Sequence, residues 1–513
     1  MKRVLFLLCL LLGFSFSGST FAQWGPARII KSAPDTAIVT AFYYYQRTIA
    51  ADSFGRVHVV WTQFPVDTTG GQPSWLYYMR STDWGATWEQ PILLSQPGQD
   101  AIVPSITADG LGNVHVVWMG LVPGGYGAIY RRSPDGGRSW EPETTLVFDP
   151  NGFPTNPQVE ANRRSGIVHV IWSNGDVCYK RSVDSGKTWS ADTLLSASPY
   201  GDQNISLSLD SKGRPHITWY EDLGMVTPGR IWYKNSSDEG LSWNPSVMIA
   251  DSDTTLPGAP NIAIDGLDRV YVFFTAFWGS KPDSTWSGQI VYRVSRDTGQ
   301  TFGPRRPLTV YPSESGLVSV AGDLKGGVHV VYADTIPYGS SGLWLFYNGS
   351  TDGGATWRYH PPFNLTDSFQ GGLPSLTAAP DGRVHLEYLT GTRNPTFTSW
   401  IIYRSGFPLG VEAYPKGNWG GRDLARLEVY PNPVTSLAYL RVQVPSGVKA
   451  SLKIFDITGR LVRVLSSNLK APKEAVVWDG KDGWGRSVPS GVYLCRLEGG
   501  GVETRQKTMV LIR

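Results

Sequence analysis

Three glutamates stand where matching segments of the chain hold neutral residues. Glu387 occupies the place of Val60, Val117, Ile171 and Val331, Glu160 that of Thr107, and Glu221 follows Trp219-Tyr220 at a strand end crowded by Asp222. Hydrolysis of a glycosidic bond needs two carboxylates flanking the bond, one as acid and one as base or nucleophile. Glu160, Glu221 and Glu387 offer such a pair, though spacing along the chain does not fix their separation. Arg47 opens a strand beside Tyr43-Tyr44-Tyr45. Trp278, Trp286 and Tyr338 fall in polar, aromatic stretches and present flat faces on which sugar rings stack. The expected catalytic set is therefore Glu387, Glu221, Tyr220 and Glu160, and the expected ligand-binding set Arg47, Trp278, Trp286 and Tyr338, with no metal and no cofactor.

These side chains matter only if a scaffold gathers them, and the scaffold is written as a repeat. Six segments read Ser-x-Asp-x-Gly-x-Thr/Ser-Trp or nearly so, centred on Asp83, Asp135, Asp184, Asp238, Asp297 and Asp352, the fifth ending in Phe302. Before each stands a run like Val57-His58-Val59-Val60-Trp61, with a seventh copy at Val384 to Tyr388 that no box follows. Each unit reads as an inner strand, a Gly turn, the Val-His-Val-Val-Trp strand, a Tyr-rich strand, the box and a short outer strand, which makes one propeller blade. Arg28-Ile29-Ile30 copies the outer strands and is expected to complete the last blade, closing the ring and removing exposed sheet edges. The fold class is all-β: a seven-bladed propeller (six-bladed if one terminal repeat does not close), followed by a small immunoglobulin-like β-sandwich. In a propeller the start of the inner strand and the end of the second face one mouth, so Arg47, Tyr220 and Glu221 point to that end.

Repetition also disqualifies residues. His58, His115, His169, His216, His329 and His385 share one position of the repeat, with Tyr271 as its seventh occupant. Symmetry spreads them around the ring, too far apart for a zinc site, and they read as strand-packing residues. Arg80, Arg132, Arg181 and Arg293, ahead of their boxes, are discounted likewise.

The six boxes resemble the Asp boxes of sialidases and related propellers, and the resemblance covers about residues 23 to 410. It implies that the box aspartates are scaffold on the rim away from the ligand: a tight hairpin in which Asp accepts local hydrogen bonds, Gly takes a positive-φ position and the aromatic packs on the sheet. For a sialidase it would also imply three arginines gripping a carboxylate through their planar forks, an acidic proton donor and a Tyr nucleophile activated by Glu. The chain departs from that pattern, because the Arg-Ile-Pro signature is absent and no arginine triad stands out.

Lys2-Arg3, an apolar run from Val4 to Leu12 and Thr20-Phe21-Ala22 read as a cleavable signal peptide over 1–22, too short to span a membrane. The propeller occupies 23–405, a Gly/Pro-containing linker 406–425, and a last domain 426–513. That domain carries Tyr430-Pro431-Asn432-Pro433, Leu452 to Arg460, Trp478-Asp479-Gly480-Lys481-Asp482 and Pro489 to Tyr493. These resemble the C-terminal sorting domains of type IX secretion cargo and, equally, the immunoglobulin-like domain of the flagellar hook-capping protein. The resemblance implies an address read by bacterial export machinery and a secreted or cell-surface destination. Cys178 and Cys495 fall in separate domains, so no disulfide is expected. A net charge of +3 and the lack of a basic stripe give nucleic acid no purchase. The reading is an exported propeller that binds or processes extracellular glycans. Its alternative is a non-catalytic recognition or scaffold propeller for protein partners, and the weight leans to the non-enzymatic side because the resemblance rests on scaffold motifs.

Overall fold

Val, Ile, Tyr and Trp in two-residue alternation favour extended backbone, and each Val-His-Val-Val-Trp run is the second strand of an antiparallel sheet. The computed structural model describes residues 24–407 except 35, 40–46, 66–72, 149, 151–153, 200, 224–228, 252–255, 279–286, 310–315, 335–343, 359–362, 366–371 and 393–397, and residues 426–511 except 431–433, 435–437, 444–449, 470–473 and 500–504. Among them there is no helix. Sheet 2 shows the plan: Ile102–Ala108, Val114–Val122, Gly125–Ser133 and Thr144–Phe148, from inner to outer. Sheets 3 to 6 repeat it, their inner strands being Thr155–Ala161, Asp202–Leu209, Leu256–Ile264 and Gly316–Gly322. Sheet 1 has its inner strand in two pieces, Thr36–Val39 and Ile49–Ala51, both paired with Val57–Pro65. Sheet 7 joins Gly372–Ala378, Val384–Thr392 and Thr398–Gly406 to Arg28–Pro34, with Arg28 opposite Tyr403 and Ile29 opposite Ile402. The N-terminal strand thus takes the outer place expected for it. Each inner strand lies against the next, and Gly372–Ala378 lies against Ile49–Ala51.

A chain of polar contacts ties each sheet to its neighbour. In all six boxes the Ser hydroxyl donates to the Asp and accepts from the Gly amide, while the Asp accepts the amide and hydroxyl of the following Thr or Ser. The turn needs two successive left-handed residues rather than the single one expected: in the third box Ser185 has φ 60° and Gly186 φ 86°. A Cβ on Gly186 would stand 1.8 Å from the Tyr130 hydroxyl of the preceding sheet. That hydroxyl is 2.7 Å from His115 Nδ1, and Trp189 of the box packs edge-on against the same Tyr130 at 4.9 Å. The pattern recurs around the molecule, and where sheet 7 lacks a following box, Trp24 meets Tyr347 edge-on at 5.2 Å. Tyr271 replaces histidine in sheet 5 and donates instead to Asp265. The histidine column is therefore a buried connector between sheets.

Burial holds His169 and His385 down to about 3 and lowers His58, His115 and His216 as well. An unfolded histidine titrates near 6.5. Below that pH the unfolded chain takes up protons that the folded one refuses, so stability, constant above 6.5, falls by about 1.4 kcal/mol per pH unit for each of His169 and His385 until about pH 3. Calorimetry at pH 7, 6 and 5 is expected to show a melting temperature that drops at each step. An unchanged value would mean that these imidazoles are charged in the fold.

The turn after the inner strand explains a second expected effect. Asp52, Asp210 and Asp265 each accept the side chain of the arginine four residues on. They also stand beside the aromatic residue of the connector column: Asp52 and Asp210 lie 3.6 Å from His58 and His216 Nε2. Sheet 7 has Ala379 in that place, and Arg383 Nε and His385 Nε2 are both buried without hydrogen-bond partners. Ala379→Asp is expected to supply both and to raise stability by about 1–2 kcal/mol, read as a higher melting temperature at pH 7. Loss of stability would show that the carboxylate cannot be accommodated beside Trp84, which stacks on His385.

The C-terminal residues form two further sheets. Arg426–Tyr430, Ala438–Gln443 and Glu474–Trp478 make one; Leu461–Leu469, Ala450–Asp456, Gly491–Gly499 and Arg505–Leu511 make the other. They enclose one core that includes Leu440, Ile454, Trp478, Cys495 and Met509. Cys178 and Cys495 are both free thiols.

Candidate functional site

The mouth end is where the repeat bends. Val103, Asn156, Asn204, Ala259 and Leu373 each adopt φ between 45° and 57° at a register shift near the start of an inner strand. Such bulges re-aim the side chains beside them. In sheet 4 the bulge follows Asp202, whose Cα lies directly opposite that of Glu221. Opposed residues share a face of the sheet with Cβ atoms about 5 Å apart, so the two carboxylates point the same way, toward sheet 3.

Their environments differ. Asp202 is 1% exposed, and neither oxygen makes a well-formed hydrogen bond. Burial first, and then the charges of Glu221 and Asp176, push its carboxyl up to about 6 against looser donors at Ser196 and Trp219. The backbone around it is fixed by sheet 3: its amide donates to Gly175, and its carbonyl accepts the Ser173 hydroxyl. Glu221 keeps 14% side-chain exposure, accepts the Trp232 indole N–H at 2.7 Å and has Arg230 at 3.8 Å. One carboxyl is thus raised above the usual carboxylate range by burial, while the other is held by an indole and a guanidinium. Such a difference of environment within a pair is the pattern of acid and base roles.

Of the residues singled out from the sequence, Glu221 stands in this pair. Tyr220 is its neighbour but half-buried, with its ring against Gly229, where an added Cβ would come within 2.3 Å; burial raises its hydroxyl pKa. Glu387 is a correction: its side chain turns into the seam between sheets 7 and 1, where it accepts the Thr48 hydroxyl. The even positions of the second strand face the next sheet, so this departure from the repeat turns inward. Glu160 and Arg47 are a second correction. They pair with one another, Arg47 also donates to the Ile262 carbonyl of sheet 5, and Glu160 accepts Thr107 at 3.2 Å. Arg47 is thereby spent on bracing sheets 1, 3 and 5. Trp278 ends the Val270–Trp278 strand, while Trp286 and Tyr338, like residues 1–22 and most of the linker, lie outside the described residues. Asp202 was missed, yet its signal was present: matching positions hold Ala101, Pro154 and Pro257. Among the described residues no group of His, Cys, Asp and Glu is arranged to hold a metal ion.

The class that these sheets define agrees with solved structures. An ulvan lyase of polysaccharide lyase family PL25, bound to -[GlcA(1-4)Rha3S]-, superposes with a TM-score of 0.51 at 11% identity over 70% of this chain and 93% of its own. The NanB sialidase of Streptococcus pneumoniae gives 0.41 at 17% identity over 74% and 70%, and an α-L-arabinofuranosidase of Fusarium graminearum 0.40 at 14% over 59% and 92%. At 11% identity the likeness to the ulvan lyase speaks for fold alone. More particular is the other end of the chain: residues 428–511 match the secretion system C-terminal sorting domain. No curated protein matches the chain significantly.

Proposed function

We propose that this chain is an exported, closed seven-bladed propeller that cleaves extracellular glycans at its mouth, with Asp202 as proton donor and Glu221 as the second carboxylate. The observation that carries the reading is the opposed pair itself, one member buried with its carboxyl pushed up to about 6, the other held by an indole and a guanidinium. Opposed carboxylates on one face of a sheet form a close pair, as a two-step displacement needs. Glu221 bonds to the sugar's anomeric carbon as the glycosidic C–O bond breaks and Asp202 gives its proton to the leaving oxygen. Water then replaces Glu221, returning a proton to Asp202, so that one water is consumed per bond cleaved. The sorting match at 428–511 and the signal-like N-terminus support export, and the two-sheet C-terminal unit supports an immunoglobulin-like module as the address. The box aspartates, engaged in their turns, serve as scaffold.

Incubating the full chain with mixed glycans and weighing the products by mass spectrometry tests this. Hydrolysis adds the mass of water to the sum of the products, whereas elimination, the chemistry of a lyase, does not. Absence of any product would return the propeller to the binding or scaffold reading.

A further inference from the structure

The repeat departs from itself a second time at the box end, beside the outer strands of sheets 5 and 6 and away from Asp202 and Glu221. Sheets 1 and 2 fill the matching place with an ion pair, Arg80 with Glu89 and Arg132 with Glu141. Sheet 5 has Val294 and Gly303 there. The cleft left open measures about 300 Å³, against about 160 Å³ for its counterpart between sheets 1 and 2. Its wall gains positive charge as well. The residue whose Cα lies opposite the third-strand tyrosine is Ile92, Thr144, Thr193, Val247 or Phe363 in other sheets and Arg306 in sheet 5. The first variable position of the box is Thr82, Pro134, Val183, Ser237 or Thr351 elsewhere and Arg296 here. Arg296 donates to the Gly353 carbonyl at 3.3 Å, Arg306 has no partner among the described residues, and both are exposed. Behind them Arg293 donates to the carbonyls of Gly303, Phe302 and Ile249. The carboxylate on the cleft wall, Asp297, already accepts the Ser295 hydroxyl and both the amide and the hydroxyl of Thr301.

We propose that this cleft is a second glycan-binding site, separate from the mouth, that takes an acidic sugar by its carboxylate or sulfate. Its volume of about 300 Å³ stands at the lower end of the range for small-ligand sites, about 300–1,000 Å³. Guanidinium forks without an acidic partner receive such groups in two places, and Val294 and Pro304 offer apolar surface to the C–H face of a sugar ring. An acidic peptide fits less well, because Pro304 and Pro307 bring no amide donors to the outer edge on which a peptide strand would have to pair. The site does not depend on the acid–base reading of Asp202 and Glu221.

The test is calorimetric binding to the full chain, at low ionic strength, of oligogalacturonate, a sulfated oligogalactose, neutral oligogalactose and oligoglutamate. The first two separate carboxylate from sulfate as the group received. At least one of them is expected to bind tenfold or more tightly than the neutral oligomer, with the advantage shrinking at high salt as screening shortens the reach of the charges. Arg296→Thr combined with Arg306→Ile, the residues that sheet 1 has at these positions, is expected to abolish that advantage. Gly303→Glu, which restores the carboxylate of sheets 1 and 2, is expected to reduce it about tenfold. Both variants should keep the wild-type melting temperature within a few degrees, because the altered residues are exposed. An advantage that survives both variants overturns the proposal, as does equal binding of the neutral oligomer, or binding of oligoglutamate as tight as that of the acidic sugars. Acidic binding that persists when Asp202→Asn shows no effect on cleavage would leave this site standing without the acid–base pair. A chain that cleaves glycans through Asp202 yet binds neither acidic oligomer at Arg296 and Arg306 would remove this site alone.

Discussion

Asp202→Asn is expected to lower the rate of glycan cleavage by about a thousandfold or more while leaving the melting temperature within a few degrees. Removing a general acid costs roughly 10²–10⁴ in rate. The amide matches the carboxyl in size, and the carboxyl it replaces makes no well-formed hydrogen bond in the fold. Activity requires the protonated form, and burial holds this carboxyl up to about 6. The wild-type rate should therefore fall as pH rises through about 6, an apparent value that belongs to the coupled pair. Asp202→Asn should lose that limb together with the rate. Glu221→Gln should be as damaging without moving the limb upward, because removing the neighbouring negative charge lowers the cost of ionising Asp202. Initial rates of both variants between pH 4 and pH 8 decide the matter. An Asp202→Asn enzyme with the wild-type rate and profile would show that the chemistry lies elsewhere in the mouth.

What could be read from the chain alone follows from which physical signals are local. The hairpin chemistry of the boxes and the alternation of Val-His-Val-Val-Trp are short-range, and both led to the sheets found. The place of Arg28-Ile29-Ile30 was legible because it copies an outer strand, although its partner lies more than 350 residues away at Tyr403. Comparing one repeat with the next drew attention to the mouth end of sheet 4 through Tyr220-Glu221-Asp222. It failed where a side chain's direction decides its role. Glu387 and Glu160 depart from the repeat as plainly as Glu221 does, but one points into a seam and the other to the axis, where Arg47 meets it. Asp202 escaped because a short acid at the start of a strand reads as turn chemistry. Only the register that sets it opposite Glu221, and the packing that strips it of water, distinguish it from Asp100, which its neighbours Ser74 and Tyr126 satisfy.

Glu387→Gln is expected to stabilise the propeller at pH 8 and to leave glycan cleavage unchanged. Glu387 is wholly buried where the last sheet meets the first, with the Thr48 hydroxyl donating to one oxygen and no partner for the other. Burial pushes its carboxyl from 4.5 up to about 8. Between those values the fold retains a proton that the unfolded chain has released. Stability on this account is greatest below 4.5, declines as pH rises and is fully lost by about pH 8, a difference that reaches roughly 4–5 kcal/mol at 1.4 kcal/mol per pH unit. Glutamine has no proton to give up, and its carbonyl still accepts from Thr48. Its amide group, left without an acceptor, returns about 1–3 kcal/mol of that gain. The net effect near pH 8 is about 2–3 kcal/mol, visible as a melting temperature several degrees higher, and it should vanish or change sign near pH 4.5. The pH dependence is what identifies the cause, since better packing alone would stabilise equally at both values. A variant no more stable at pH 8 than at pH 4.5 would mean that water reaches Glu387, and so that the seam joining the two ends of the chain opens in solution.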